Sequence, residues 1–279
     1  MYIKTGIIAI ASFLALTSCG GGEGAKTETD MVDEEPMETM NSEEMGSGEM
    51  MEKDGIKVMA YTASPEFQNA SLKTKSPKMG DKLKAGKVVF DYDVQGYELG
   101  VATSDAGTNG LANSDKGQHI HAILNNDPYM AEYKPGFEKD LEPGRYILLS
   151  FLSRSYHESV KNPAASDIIQ FMVGDTDAKP ADLNAPHIFY SRPKGSYKGA
   201  DAKKLLLDFY LVNSDLSADG YKVRATLNGT EFMLTKWSAY VVEGLPMGDV
   251  DIKLELLDAN GNSVKSPFNP AERTVTLEE

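Results

Sequence analysis

Apolar and polar residues alternate in short runs along most of the chain from residue 56 onward. Residues 87–94 and 168–173 are typical runs, and turn-forming pairs such as Asn228-Gly229 separate them. Short runs of period two between such turns predict β-strands. No helical period continues beyond two turns. The pattern therefore predicts an all-β fold.

The predicted strands repeat in two halves of the chain. Residues 119–125 match residues 222–228, and residues 159–163 match residues 263–267. A repeat of about 100 residues with seven or so short strands has the size of an immunoglobulin-like sandwich. We therefore expect two tandem immunoglobulin-like β-sandwich domains, at residues 56–176 and 186–279.

The first residues have the pattern of an export signal. Lys4 precedes an apolar run at residues 6–16, which is too short for a membrane span. The sequence Leu16-Thr17-Ser18-Cys19 resembles the lipobox of bacterial lipoproteins, in which the cysteine is acylated after the signal is removed. We expect a signal peptide at residues 1–18 and a lipid anchor at Cys19. The expected location is the bacterial cell envelope, on the outer membrane, with the lipid bilayer as a partner through Cys19.

Residues 19–55 are expected to form a disordered acidic tether. They contain no aromatic residue, and acidic side chains far outnumber Lys26 and Lys53. Such a composition does not bury enough apolar surface to offset ordering entropy. Methionines spaced like Met37 and Met40 could bind Cu(I), but we favour the interpretation that they belong to a low-complexity spacer. The chain has a net charge of −14, which excludes nucleic acid as a natural partner.

The motifs of common enzymes are absent from the sequence. There is no Ser-His-Asp arrangement with supporting context, no phosphate-binding glycine loop and no cofactor fingerprint. Cys19 is the only cysteine, so its acylation leaves no thiol for a disulfide, a nucleophile or a zinc site. We therefore expect a non-catalytic ligand-binding module rather than an enzyme.

Candidate functional residues lie where the first repeat departs from the second. His119 and His121 stand where the second repeat has Lys222 and Arg224. That register predicts both imidazoles on the solvent face of one strand, a common way to offer a metal two nitrogens. The preceding loop, residues 100–117, is also much longer than its counterpart, and long loops in compact domains are often functional.

A second departure is the segment Ser153-Arg154-Ser155-Tyr156-His157-Glu158, where the other repeat has a short hairpin. His157 is a candidate third ligand and Glu158 a candidate fourth, for copper or zinc. The alternative is that these are solvated polar residues on a sheet face.

Basic residues suggest an anion site as another possibility. Arg154, with Arg192 and Lys194, could hold a phosphate or carboxylate group. The alternative is ordinary loop chemistry, since Pro193-Lys194-Gly195 is a natural turn sequence.

Several segments together resemble a known family. Residues 117–129, 141–145, 153–159 and 189–195 are similar to a group of uncharacterised Bacteroidetes-type envelope lipoproteins, some of which carry the label "phosphopeptide-binding". The resemblance implies a phosphorylated peptide as one partner. A third hypothesis is a structural or assembly lipoprotein that contacts another envelope protein.

Overall fold

The computed structural model describes residues 50–279 of the chain. The signal peptide, the acylation of Cys19 and nearly all of the tether lie outside the described residues and stay predictions. Within residues 50–279, no helix is long and apolar enough to cross a membrane.

The described chain is built almost wholly from β-strands, as the alternating pattern predicts. One short helix, α1 (Ala200–Lys203), and one 3-10 turn (Pro163–Ala165) interrupt the strands. The strands are β1 Met50–Lys53, β2 Ile56–Tyr61, β3 Ser71–Ser76, β4 Lys82–Leu83, β5 Gly86–Gln95, β6 His119–Leu124, β7 Met130–Glu132, β8 Gly136–Leu141, β9 Gly144–Ser153, β10 Ser166–Val173, β11 His187–Arg192, β12 Ser196–Lys198, β13 Lys204–Val212, β14 Lys222–Leu227, β15 Thr230–Leu234, β16 Ala239–Glu243, β17 Gly248–Leu257 and β18 Ala271–Glu278.

Four sheets form two sandwiches. In the first sandwich, the sheet β3-β5-β8 packs on the sheet β4-β10-β9-β6-β7, and side chains such as Phe90, Ile120 and Phe171 fill the space between them. In the second, the sheet β1-β2-β16-β13-β11 packs on the sheet β12-β18-β17-β14-β15 around a core that includes Phe209 and Leu254. The predicted all-β sandwich fold is confirmed.

The N-terminal strands belong to the second sandwich, which corrects the predicted boundary at residue 56. β2 pairs with β16 in antiparallel register, and β1 pairs with β2, so that both extend the sheet of the second sandwich. Ile56 and Val58 are buried in its core. Residues 50–55, which were predicted as part of the tether, therefore form β1 and the turn that follows it. The alternating pattern of β2 predicts a strand, but it does not identify a partner that lies far away in sequence.

The two sandwiches share a third apolar layer. Ile147 and Phe151 of β9 pack against Phe189 of β11 and Tyr210 of β13. The rings of Phe151 and Tyr210 stack with centroids 4.9 Å apart. The outer face of one sheet in the first sandwich is therefore covered by a sheet of the second. The candidate site lies in this interface.

Candidate metal centre

His119 and His121 lie on one face of β6, opposite the core of the first sandwich. Ile120 and Ala122 point into that core, so the face that the repeat register predicts for the histidines is the one observed. Both histidines are nevertheless fully buried. The expectation of a solvent face is therefore wrong, because the interface with the second sandwich covers this part of β6.

His157 reaches the same place from the turn after β9. Within the turn, the Arg154 amide donates to the Glu158 carbonyl at 2.9 Å, and the His157 amide donates to the Arg154 carbonyl at 2.9 Å. His157 has a φ of 68°, a left-handed conformation that costs a non-glycine residue about 1–2 kcal/mol. Strain of this kind is often found at functional sites. The turn places the imidazole over β6.

Three imidazole nitrogens meet at one point, which we call the metal centre (His119, His121 and His157). Nε2 of His119 lies 2.9 Å from Nε2 of His121 and 3.0 Å from Nδ1 of His157. The three potential ligand atoms all lie within 4.8 Å of one another. The structure thus brings together three of the four predicted metal ligands.

The orientation of His119 is set by a backbone contact. Its Nδ1 lies 2.8 Å from the carbonyl oxygen of Gly117; a carbonyl only accepts, so Nδ1 carries the proton and the Nε2 lone pair faces the other two histidines. Gly117 has a φ of +80°, and a Cβ there would lie 2.5 Å from the Val101 carbonyl carbon and oxygen. Only glycine fits this position.

The long loop holds the metal centre together. Thr103 and Ser155 exchange hydrogen bonds, with the Thr103 amide donating to Ser155 Oγ at 2.8 Å and the Ser155 amide donating to Thr103 Oγ1 at 2.9 Å. These bonds tie the loop at residues 100–117 to the turn that carries His157. The unusual length of the loop therefore has a structural role at the site.

All three histidines are held in the neutral form that binds metals. Burial, opposed by the bond to Gly117, lowers the pKa of His119 to about 4. Burial lowers the pKa of His121 well below its usual value, and the neighbouring histidines lower it further. Burial, followed by the positive charge of Arg192, also lowers the pKa of His157. Neutral imidazoles at pH 7 lose no proton on binding a metal.

Aromatic rings surround the three imidazoles. The Tyr129 ring stacks on His121 with centroids 3.5 Å apart, and its hydroxyl oxygen lies 3.2 Å from Nδ1 of His157. The Tyr133 ring lies 5.0 Å from His119, and the Phe151 ring lies 5.1 Å from His121. Tyr129, which directly follows the turn after β6, is not among the predicted site residues. These rings exclude water from most of the site.

Glu158 does not join the metal centre, which corrects its prediction as a fourth ligand. Its buried carboxylate accepts a hydrogen bond from Ser64 Oγ and lies 3.7 Å from Arg154 Nη1. Successive residues in the turn point in different directions, so the carboxylate faces away from His157. The group of candidate metal ligands found among residues 50–279 contains only the three histidines.

The predicted anion-binding residues separate into two places. Arg154 donates to the carbonyls of Pro65 and Ser159 and is 6% exposed, so its guanidinium is used within the fold. Arg192 and Lys194 instead lie together beside Tyr129. The three residues therefore do not form one site.

The geometry of the metal centre fits a transition metal. Three imidazole nitrogens in one place are typical ligands of zinc and copper, and a three-histidine set leaves a fourth position open. The nitrogen separations of 2.9 and 3.0 Å are slightly shorter than the roughly 3.3 Å of a tetrahedral site with 2.0–2.1 Å bonds. The separations in the group reach up to 4.8 Å, more than the roughly 4.2 Å that two metal–nitrogen bonds can span, so the rings must rearrange for one ion to contact all three nitrogens.

Comparisons with known proteins identify the fold alone. No protein-family model matches the chain, and no curated protein matches it. Among solved structures, it is similar to fibronectin(III)-like modules of Clostridium thermocellum CbhA, with 13% identity and a TM-score of 0.27, over 74% of this chain and 94% of that one. A two-domain fibronectin type-III segment of chicken tenascin has 9% identity and a TM-score of 0.21, over 74% of this chain and 98% of the other.

A third similar structure comes from Bacteroides ovatus. It is the protein SGBP-B of a mixed-linkage glucan utilization locus, in complex with a mixed-linkage heptasaccharide, with 11% identity and a TM-score of 0.23, over 74% of this chain and 47% of that one. Likenesses of this size carry no argument about ligand or activity. The resemblance to envelope lipoproteins stays a prediction.

Proposed function

We propose that this protein is a lipid-anchored envelope protein whose first sandwich binds a copper or zinc ion without catalysing a reaction. The observation that carries the proposal is the convergence of three imidazole nitrogens, from His119, His121 and His157, within 4.8 Å. The residues come from two separate segments, and a strained turn at His157 brings the third one into place.

The chemistry of the ligands indicates which metals are suitable. Imidazole nitrogens suit zinc and copper, whereas calcium and magnesium prefer oxygen ligands. The surrounding tyrosine and phenylalanine rings pack against the imidazoles and hold them in position. Glu158, the nearest predicted oxygen ligand, is turned away from the site.

The membrane anchor in this proposal rests on the sequence. The signal at residues 1–18 followed by Cys19 supports an acylated protein in the bacterial envelope, on the outer membrane. Acyl chains buried at about 0.8 kcal/mol per CH₂ would hold the protein on a bilayer. Incorporation of a labelled fatty acid, abolished by Cys19→Ser, would test this part.

The metal proposal is tested by measuring metal content and affinity. The exported chain with Cys19→Ser is purified without detergent, treated with EDTA, and titrated with Zn²⁺ and with Cu²⁺ by calorimetry. We expect one ion bound per chain, and loss of this binding in His119→Ala/His121→Ala, because two of three ligands are removed.

A matched control is available in the fourth histidine of the chain. His187 is also buried, but it bonds to Ser266 and to the Asp182 carbonyl, away from the metal centre. The variant His187→Ala should bind metal as the parent does. Equal metal binding by the parent and the double variant would contradict the proposal, and would direct attention to the methionines of the tether.

A further inference from the structure

Three basic side chains gather around Tyr129, on the margin of the metal centre. Lys194 Nζ lies 3.7 Å from the centre of the Tyr129 ring, and Arg192 Cζ lies 5.9 Å from it. Arg273 stacks on Tyr190, with its Cζ 4.4 Å from the ring centre. We call Arg192, Lys194 and Arg273 the basic cluster. None of the three forms a salt bridge among the ion pairs found in residues 50–279.

This lack of counter-charges is unusual for the protein. Its other buried charges are paired: Lys161 lies 2.6 Å from Asp208, and Arg154 lies 3.7 Å from Glu158. Burial of like charges together is unfavourable unless a negative group accompanies them. The pKa of Lys194 shows the effect, since burial, Arg192 and Arg273 lower it to about 8. The Asp127 carboxylate acts on Arg273 only over a longer distance.

The basic cluster also leaves hydrogen-bonding atoms unused. Nε of Arg192, Nη1 of Arg273 and the hydroxyl of Tyr190 are buried and have no hydrogen-bond partner among the described residues. Arg192 is 7% exposed and Tyr190 is fully buried. Buried polar atoms are almost always bonded, so three unsatisfied groups in one neighbourhood indicate a missing partner.

Other bonds of the same side chains hold them in position. Arg192 Nη1 donates to the Tyr197 hydroxyl at 2.8 Å, and Arg273 Nη2 donates to the Asn126 carbonyl at 2.9 Å. Lys194 Nζ donates to the Tyr129 carbonyl at 2.8 Å. Each cation is therefore held by a hydrogen bond, while Nε of Arg192 and Nη1 of Arg273 stay available for a ligand.

We propose that the basic cluster binds an oxyanion, a phosphate or carboxylate group, between the two sandwiches. Guanidinium groups present planar sets of N–H donors that suit such oxygens, and the Tyr190 hydroxyl adds another donor. Lys194 and Arg273 are half-buried and Arg192 is buried, so the anion reaches the site past the first two. The source of the group is either a free anion or a phosphorylated side chain.

The proposal is tested on the EDTA-treated exported chain with Cys19→Ser, by calorimetric titration with inorganic phosphate. We expect saturable binding of one phosphate per chain, weakened at least tenfold in Arg273→Gln and in Lys194→Met. The control is Lys87→Met on β5, an exposed lysine of the first sandwich that pairs with Glu138, and it should bind phosphate as the parent does. Absence of phosphate binding by the parent, or equal binding by Arg273→Gln, would overturn the proposal.

Two further measurements separate this site from the metal centre and from loss of folding. Variants that keep the parent's circular dichroism spectrum and thermal transition are folded, and Arg273→Lys should restore part of the binding. Phosphate binding should persist in His119→Ala/His121→Ala, so the anion site stands even where the metal proposal fails. Phosphate binding that needs added metal and those histidines, but not Arg273, would place the anion on the metal and overturn the proposal.

A titration with O-phospho-L-threonine identifies the source of the group. Tighter binding than that of inorganic phosphate supports a phosphorylated side chain as the ligand. Binding of inorganic phosphate alone supports a free anion in the same site.

Discussion

One cross-strand pair occurs in both sandwiches with opposite chemistry. His121 of β6 lies opposite Phe151 of β9, and at the matching place Arg224 of β14 lies opposite Glu255 of β17. The first pair is fully buried beneath the other sandwich. The second forms an ion pair of 2.5 Å whose arginine side chain is 34% exposed. The same position in a repeated fold is therefore an interface in one copy and a surface in the other.

This difference shows how the metal centre arises. A strand face that meets water keeps charged residues, as in β14, where Lys222 and Arg224 are half-buried. A strand face covered by a second sheet becomes dry, and histidines placed there lose their tendency to bind protons. Neutral imidazoles in a dry place are suited to hold a metal. The neutral state of these imidazoles therefore results from burial by the neighbouring sandwich, and the sequence of β6 alone does not produce it.

The largest expected effect on stability comes from truncating Phe151, the buried residue that lies opposite His121. Phe151→Ala should lower the free energy of unfolding by about 3 to 5 kcal/mol, because it leaves a cavity between the sandwiches. Glu255→Ala at the matching position should cost less, about 1 kcal/mol, because the Arg224 side chain that it leaves unpaired is 34% exposed and still reaches water. Urea denaturation measures both. Similar losses in the two variants would show that the interface contributes little to stability.

A second comparison is between Asp208 on β13 of the second sandwich and Asp91 on β5 of the first. Asp208 is fully buried, lies 2.6 Å from Lys161 Nζ and accepts a hydrogen bond from Ser159 Oγ at 3.0 Å. Asp208→Ala should therefore cost about 3 kcal/mol in urea denaturation, because a buried charge loses its partner. Asp91→Ala should have no measurable effect, since Asp91 pairs with a lysine on the surface. A large effect of Asp91→Ala would show that the difference in burial between the two aspartates does not decide their contributions to stability.

The smallest expected effect is a dependence of stability on pH. His119 has a pKa of about 4 in the folded protein and about 6.5 in the unfolded chain. Between these values the unfolded chain binds more protons, so the free energy of unfolding falls as the pH is lowered from 7 towards 4. The slope reaches about 1.4 kcal/mol per pH unit for each such histidine.

Urea denaturation in EDTA at pH 7 and 5.5 measures this slope. The expected loss from His119 is about 1 kcal/mol, and the pH dependence should be much smaller in His119→Gln/His121→Gln/His157→Gln. An equal loss in parent and triple variant would show that other groups cause the pH dependence.

Much of the fold follows from local patterns. The strands, including β6 and β14, appear where apolar and polar residues alternate, and the comparison of the repeats places His119 and His121 on the correct face of β6. What lies on that face could not be predicted, because the covering residues, such as Ser191 and Tyr129, come from segments outside the matched strands. For the same reason, the alternating pattern does not predict that β2 pairs with β16 of the second sandwich.

The candidate metal ligands show the same limit of prediction from sequence. His157 was predicted on residue type, and the structure places it at the centre because a residue with a φ of 68° turns its ring towards β6. Glu158, the next residue, was predicted on the same grounds and faces Ser64 instead. Residue type indicates which side chains can bind a metal, but the backbone angles of a turn decide which of them meet.

The strands follow from the sequence alone, as do the repeat, the face on which β6 carries its histidines, and the set of residues with suitable chemistry. These depend on periodicity and residue type, which are local properties of the chain. The covering of β6, the convergence of three imidazoles, and the approach of Arg273 to Arg192 and Lys194 are instead properties of the folded molecule. Those outcomes depend on contacts between segments distant in sequence, and packing of one sandwich against the other brings those segments together.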